Sequence, residues 1–93
     1  MQVIKKDGRI QSLDVIKIRS SILGASIDSN TIINESDLKV LSTRVLKVLQ
    51  GIRGDDGITS TYEIFAAIID SLNKYRFKDI ASAYLGYKEK CCK

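Results

Sequence analysis

The chain has 93 residues, of which 44% are hydrophobic and 28% charged, with a formal net charge of +4. A chain of this size can bury one modest core but has little room for an enclosed catalytic pocket. It contains no histidine and only two cysteines, so its composition argues against an enzyme and against a zinc site.

Residues 3–13 predict a β-hairpin at the N-terminus. The Asp-Gly pair at 7–8 is typical of a two-residue type I′ turn, in which both central residues take positive φ. This turn would place Ile4 opposite Gln11. Because side chains alternate along a strand, Lys5 would then lie on the face opposite to Gln11.

Four helices are predicted after the hairpin from the spacing of apolar residues. They run from about Val15 to Ile27, from Ser36 or Asp37 to Gln50, from Ser60 or Thr61 to about Leu72, and from Phe77 to Lys90. Asp14 and Ser60 are the expected N-caps of the first and third helices. The three glycines at 51–57 predict a flexible loop, and Ile58-Thr59 is a candidate third strand. The predicted fold class is α+β: an N-terminal hairpin, with that candidate strand, packed on a four-helix bundle.

Positive charge is concentrated at the two ends of the chain. Residues 1–20 contain five basic and two acidic residues, and residues 74–93 contain six basic and two acidic. The stretch between them contains four basic and seven acidic residues. If the two ends meet in the fold, they focus positive potential on an anion; if they lie apart, they are solvated basic faces. Charge alone leaves both interpretations open.

Candidate phosphate-binding residues cluster near the N-terminus. Lys5 and Lys6 precede the tight turn, although solubility of the hairpin would also explain them. Lys17 lies one turn into a helix whose N-terminus offers free N–H groups and a positive dipole end. Thr61 begins a later helix, where its hydroxyl could hold a phosphate or cap the helix. The sequence has neither of the common glycine-rich phosphate loops.

Three segments of the chain resemble the signatures of the ATP-cone domain. V-I-K-K-D-G-R-I-Q-S-L-D-V-I-K-I, at 3–18, resembles the opening pattern V-x-K-R-D-G, an acidic position and F-D-x-x-K-I. T-S-T-Y-E-I, at 59–64, resembles the second signature, and A-S-A-Y-L-G-Y-K, at 81–88, resembles the closing one. The order is that of the family, and residues 1–93 are expected to form one ATP-cone domain.

The resemblance implies a regulatory module that binds ATP or dATP, with Mg²⁺ as an accompanying ion, and performs no catalysis. Such modules occur in ribonucleotide reductase large subunits and in the reductase repressor, where they act through oligomerisation. The implied nucleotide-binding residues are Lys5, Lys6 and Lys17 at the phosphates, Gln11 and Asp14 near the base, Thr61 at phosphate or ribose, and Lys88 or Lys90 from the last helix.

Three residues depart from the family pattern. Lys6 replaces an arginine, which removes a planar fork for bidentate phosphate contacts. Gln11 replaces an acid and changes the hydrogen bonds available to a base. Phe65 stands where some members have a polar residue facing the nucleotide, which bears on whether a second nucleotide binds.

We expect a stand-alone ATP-cone that binds an adenine nucleotide and alters its self-association or its affinity for a protein partner, such as a reductase or a regulator. One alternative is the excised N-terminal allosteric domain of a larger enzyme, such as a ribonucleotide reductase. Another is a basic nucleic-acid-binding module, which the lack of an aromatic stacking platform disfavours.

Two further expectations concern the surroundings of the protein. No apolar run reaches the ~18–20 residues that span a bilayer, so we expect no membrane association and a cytoplasmic location. Cys91 and Cys92 are adjacent and would close almost no loop, so we expect no structural disulfide between them.

Overall fold

The computed structural model of this chain has an α+β fold and describes the backbone of residues 1–91 and the side chains of residues 1–85. Its three strands are β1 (Gln2–Ile4), β2 (Ile10–Ser12) and β3 (Ile58–Ser60). Its helices are α1 (Val15–Asp28), α2 (Glu35–Arg53), α3 (Thr61–Lys74) and α4 (Lys78–Cys91). The predicted fold class is confirmed, and the candidate third strand is part of the sheet.

The hairpin has a register different from the predicted one. β1 pairs with β2 in antiparallel fashion, with Ile4 opposite Ile10 and Val3 opposite Gln11. The predicted pairing of Ile4 with Gln11 was therefore wrong by one residue. Because side chains alternate across a strand, this slip brings Gln11 to the same face of the sheet as Lys5.

The loop between the strands explains the change of register. The Lys5 N–H donates to the Arg9 carbonyl at 2.7 Å, which leaves three residues, 6–8, in the loop. Within this loop only Gly8 has positive φ, at 89°, whereas a type I′ turn needs two such residues. The Asp7 carboxylate accepts from the Arg9 N–H at 3.1 Å and from its Nε at 2.7 Å. These bonds stabilise the longer loop.

β1 lies at the centre of the sheet, between β2 and β3. It pairs with β3 in parallel, with Val3 opposite Thr59. A parallel pair needs a crossover connection, and here β2, α1 and α2 provide it. The sheet therefore joins the N-terminal hairpin directly to the start of α3.

The core lies among the four helices. α1 packs against α2 and α4, and α3 packs against α2 and α4. The buried apolar cluster comprises Ile18, Ile22, Ala25, Leu41, Val45, Leu49, Ala67, Ile68, Leu72, Ile80 and Ala81. None of the helices within the described residues is both long enough and apolar enough to cross a bilayer.

The bounds of α2 differ from those predicted. Asn34 caps the helix by accepting the Asp37 N–H at 2.8 Å, so the helix begins at Glu35. It continues through Gly51, where a loop had been predicted, and reaches Arg53. A glycine inside a helix costs only about 1 kcal/mol relative to alanine, and the last turn of α2 contacts α3 through the pair of Arg53 with Glu63.

Candidate functional site

An open cavity of about 170 Å³ lies between the sheet, α1 and α3. Its walls come from β1 and β2, the first half of α1, the first turns of α3, and Tyr84 of α4. Segments 3–18 and 59–64, far apart in the sequence, thus meet across one cavity. Its volume is below the roughly 300–1,000 Å³ of typical small-molecule pockets, so a nucleotide held there would remain partly in solvent.

The floor of the cavity is apolar. Val3, Ile18 and Ile68 lie beneath it, each at most 4% exposed. The rings of Phe65 and Tyr84 stack beside them, with centroids 5.3 Å apart and planes at 23°. An apolar floor under a polar rim is the usual form of a ligand-binding cleft.

The α1 side of the rim carries Asp14 and Lys17. The Asp14 carboxylate caps the helix by accepting the Ile16 N–H at 3.0 Å, and the Asp14 carbonyl accepts the Lys17 N–H at 3.2 Å. The predicted cap is confirmed. Its negative charge offsets the positive end of the α1 dipole, so an anion at this helix end would compete with Asp14.

The α3 side of the rim carries Thr61. Ser60 caps α3, its hydroxyl accepting the Glu63 N–H at 3.1 Å. The cap is therefore neutral, and the one acidic residue in the first turn of α3, Glu63, is ion-paired with Arg53. Thr61, half-buried in the cavity wall, is not needed as a cap. Thr61 was predicted either to cap the helix or to contact a ligand. Because Ser60 is the cap, the contact with a ligand is the role that stays a prediction.

The sheet side of the rim carries Lys5 and Gln11, which share one face because of the observed register. Lys5 is half-buried. Lys6 is exposed and is not among the residues that line the cavity. Its Nζ lies 5.8 Å from the ring centroid of Tyr62, within range of a cation–π contact at the start of α3.

Most of the predicted binding residues whose side chains are described line this cavity. They are Lys5, Gln11, Asp14, Lys17 and Thr61. Lys88 and Lys90 lie outside the residues whose side chains are described, and so do both cysteines. The predicted contact of the last helix with the nucleotide therefore stays a prediction.

Among the lining residues that carry a hydroxyl, sequence reasoning missed Ser12, Ser21 and Tyr84. Ser21 follows Lys17 by four residues, and this spacing places both on one helix face. The Ser21 hydroxyl donates to the Lys17 carbonyl at 3.0 Å. Tyr84 lies in the fourth predicted helix and was not assigned to the site.

An ion pair behind the cavity joins three elements. The Arg53 Nη2 lies 2.6 Å from Glu63 Oε2, and the Thr59 hydroxyl donates to Glu63 Oε1 at 2.9 Å. The hydrogen bonds from Arg53, and then that from Thr59, hold the pKa of the Glu63 carboxyl below its ordinary value. The same pair holds the pKa of Arg53 above its ordinary value. The end of α2, β3 and the start of α3 are thereby fixed, and with them the position of Thr61.

The described residues offer no built metal centre. No group of three or more histidine, cysteine, aspartate or glutamate side chains converges among them. The lining residues instead bring two ammonium groups, one carboxylate, an amide and several hydroxyls to the rim over an apolar floor. Such a set of side chains can bind a partly apolar anion through ionic and hydrogen-bond contacts.

Comparison with known protein families gives the family of this chain. The chain matches the ATP cone domain over residues 1–91, and no curated protein matches it. ATP-cone domains bind adenine nucleotides and are regulatory, not catalytic. Since the match spans essentially the whole chain, the protein belongs to the ATP-cone family of nucleotide-binding regulatory domains.

Proposed function

We propose that the chain binds ATP or dATP in this cavity and, without catalysing a reaction, transmits occupancy by changing its self-association or its affinity for a protein partner. The observation that carries the proposal is the convergence of the segments around Lys5, Lys17 and Thr61 on one cavity. Two of these three residues are cations, and the third begins a helix.

The triphosphate lies across the rim from Lys5 and Lys17 towards the N-terminus of α3. This direction is favoured because the cap of α3 is neutral and the Glu63 carboxylate in its first turn is paired with Arg53, whereas the Asp14 carboxylate at α1 has no ion-pair partner among the described residues and opposes an anion. The Thr61 hydroxyl donates to a phosphate or a ribose oxygen. Lys6, beside Tyr62 at the same helix end, stabilises the outermost phosphate through its charge.

The base lies towards Gln11 and Asp14. A carboxylate accepts a hydrogen bond from the exocyclic amine of adenine but is repelled by the carbonyl oxygen that guanine has at that position. The Gln11 amide can donate and accept at a second edge of the ring. This pair of side chains should therefore favour ATP and dATP over GTP.

The remaining parts of the proposal concern the surroundings of the site. Mg²⁺ enters with the nucleotide, coordinated by its phosphates, and Lys88 or Lys90 approaches the phosphates from α4. The regulated partner is a reductase or a regulator, whether on a separate chain or in the same polypeptide. The proposed location is the cytoplasm.

Calorimetric titration of the full chain with ATP, dATP and GTP tests the binding step. We expect saturable binding of ATP or dATP and at least tenfold weaker binding of GTP. Mass measurement in solution, with and without ATP, tests the response through self-association. Equal affinity for ATP and GTP would contradict the base assignment, and tighter, steeply salt-dependent binding of a DNA oligonucleotide would favour a nucleic-acid-binding module instead.

A further inference from the structure

A second concave surface lies on the outer side of α2, away from the nucleotide cavity. This surface, the α2 groove, has a volume of about 410 Å³ and is lined by Lys39, Val40, Thr43, Arg44, Lys47 and Tyr75. It has no lining residue in common with the nucleotide cavity. Nothing in the proposed nucleotide site accounts for it.

The cations of the α2 groove form a row. Lys39, Thr43 and Lys47 follow one another at intervals of four residues, so the two lysines lie about 12 Å apart along one helix face. Both lysines are exposed. Within the described part of the chain, neither has a carboxylate at ion-pair distance. The row is therefore positive charge along a line, with no ion pair to either lysine among the described residues.

Arg44 is incompletely paired beside this row. Its Nε is buried without a hydrogen-bond partner among the described residues. Its Nη2 reaches Asp70 Oδ2 only at 3.4 Å, and the Asp70 side chain is 63% exposed. An unmade hydrogen bond of a buried donor is unfavourable. A small rotation towards an incoming carboxylate would let the guanidinium donate from two nitrogens and would remove that cost.

The middle of the α2 groove is apolar. Val40 is 46% exposed and Tyr75, at the C-cap of α3, is 41% exposed. A free phosphate would meet one or two cations and would gain nothing from this surface. A single-stranded nucleic acid would need a series of aromatic platforms, whereas among the described residues Tyr75 alone brings an aromatic ring to the groove.

We infer that the α2 groove docks an acidic segment of a protein partner, with an apolar side chain on Val40 and Tyr75 and carboxylates on either side. Carboxylates about two helical turns apart match Lys39 and Lys47, and a carboxylate between them can reach Arg44. The inference goes beyond the proposed function, because the groove could bind such a segment whether or not the cavity binds a nucleotide.

A labelled model peptide tests the inference on the full chain. The probe is a fluorescein-labelled helical peptide with glutamate at every fourth position and leucine between, and its counterpart has glutamine in place of glutamate. Fluorescence anisotropy at about 0.1 M salt, where the Debye length is about 10 Å, gives the dissociation constants. We expect the acidic peptide to bind and the neutral counterpart to bind at least tenfold more weakly.

Two variants of equal charge locate the binding surface. Lys39→Gln with Lys47→Gln should weaken the acidic peptide about tenfold or more. Lys74→Gln with Lys78→Gln removes the same charge from exposed residues outside the groove and should change the affinity less than twofold. ATP titration of both variants should be unchanged, which separates this test from that of the nucleotide site.

Several outcomes would overturn the inference. They are absence of peptide binding, equal weakening by the two pairs of substitutions, and equal binding of the two peptides. Tighter binding of a single-stranded DNA oligonucleotide that depends on Lys39 and Lys47 would assign the groove to nucleic acid instead. Full displacement of the peptide by millimolar pyrophosphate would assign it to free phosphates.

Discussion

Replacing Lys5 and Lys17 together by alanine should remove most of the stabilisation that ATP gives to the folded chain. A hydrogen bond to a charged group contributes about 1.5–3 kcal/mol. Lys5 is half-buried and Lys17 is exposed, so we place Lys5 near the upper end of that range and Lys17, which solvent screens more, near the lower end. Together the two losses weaken ATP binding about a thousandfold.

Thermal unfolding converts this loss into a shift of the melting temperature. At an ATP concentration 100 times the parent Kd, binding stabilises the fold by about 2.7 kcal/mol. For a domain of this size that corresponds to a rise in Tm of about 11–20 °C. The variant at the same ATP concentration would be at about a tenth of its own Kd and should rise by about 1 °C or less. Scanning calorimetry over a series of ATP concentrations measures both.

Lys39→Ala with Lys47→Ala is the matched control, because it removes the same charge from residues that do not line the cavity. This control should keep the full ATP-dependent rise in Tm. If the variant at Lys5 and Lys17 is folded by circular dichroism and rises as much as the parent, the placement of the phosphates is refuted. If both pairs lose the rise, ATP binds through the general positive field and not in this cavity.

Four further substitutions test the surroundings of the site. Gly57→Ala should lower the free energy of unfolding, measured in urea, by about 1–3 kcal/mol, because the added Cβ would collide with the Arg53 carbonyl. Gly51→Ala is the contrasting change. It has open space in α2 and should raise the same free energy by about 0.5–1 kcal/mol. Asp14→Ser keeps an N-cap and should change that free energy by less than about 0.5 kcal/mol, but calorimetry should show reduced discrimination between ATP and GTP. Glu63→Gln should lower the free energy of unfolding above pH ~4.3, the ordinary carboxyl pKa. The pKa of Glu63 in the folded chain lies below that value. The difference in free energy of unfolding between variant and parent, measured in urea, should therefore disappear as the pH falls through the folded pKa. A Gly57 variant as stable as the parent, an unchanged ATP preference, or a pH-independent difference would contradict the respective argument.

Features governed by a few neighbouring residues could be predicted from the sequence. Asp14 and Ser60 were predicted as helix caps, and both accept the N–H groups expected of caps. A cap depends on one side chain and the backbone two or three residues further on, so no tertiary information is needed. The four helices were found for the same reason, since each has a stripe of apolar residues at helical spacing.

Features that depend on contacts between distant segments were predicted less well. The loop after α2 was placed at Gly51 because glycine is a poor helix former. The helix continues because Arg53, in its last turn, pairs with Glu63 in α3. That pair lies ten residues apart in the sequence and becomes close only once β3 joins the sheet. Local propensity therefore gave the wrong end for a helix that tertiary contacts extend.

The cavity itself combines both kinds of information. Its lysines could be predicted from local sequence, because Lys5 precedes a tight turn and Lys17 lies in the first turn of a helix. Tyr84 could not be assigned to the site, because its position under the rim depends on how α4 packs against α1 and α3. Its ring stacks on Phe65, so an apolar residue at position 65 completes the floor of the cavity and does not simply replace a polar contact.

The membership of Gln11 in the site depends on one residue of hairpin loop. With a two-residue turn, Gln11 would face away from Lys5, and the sheet side of the rim would lose its only amide among the lining residues. The three-residue loop places Gln11 on the cavity side of the sheet. In this loop Gly8 alone adopts positive φ, and the Asp7 carboxylate accepts the N–H of Arg9. An Asp-Gly pair is compatible with both loops. Residues 6–9 of the turn do not line the cavity. Their conformation nevertheless determines which face of β2, and therefore whether Gln11, borders the nucleotide site.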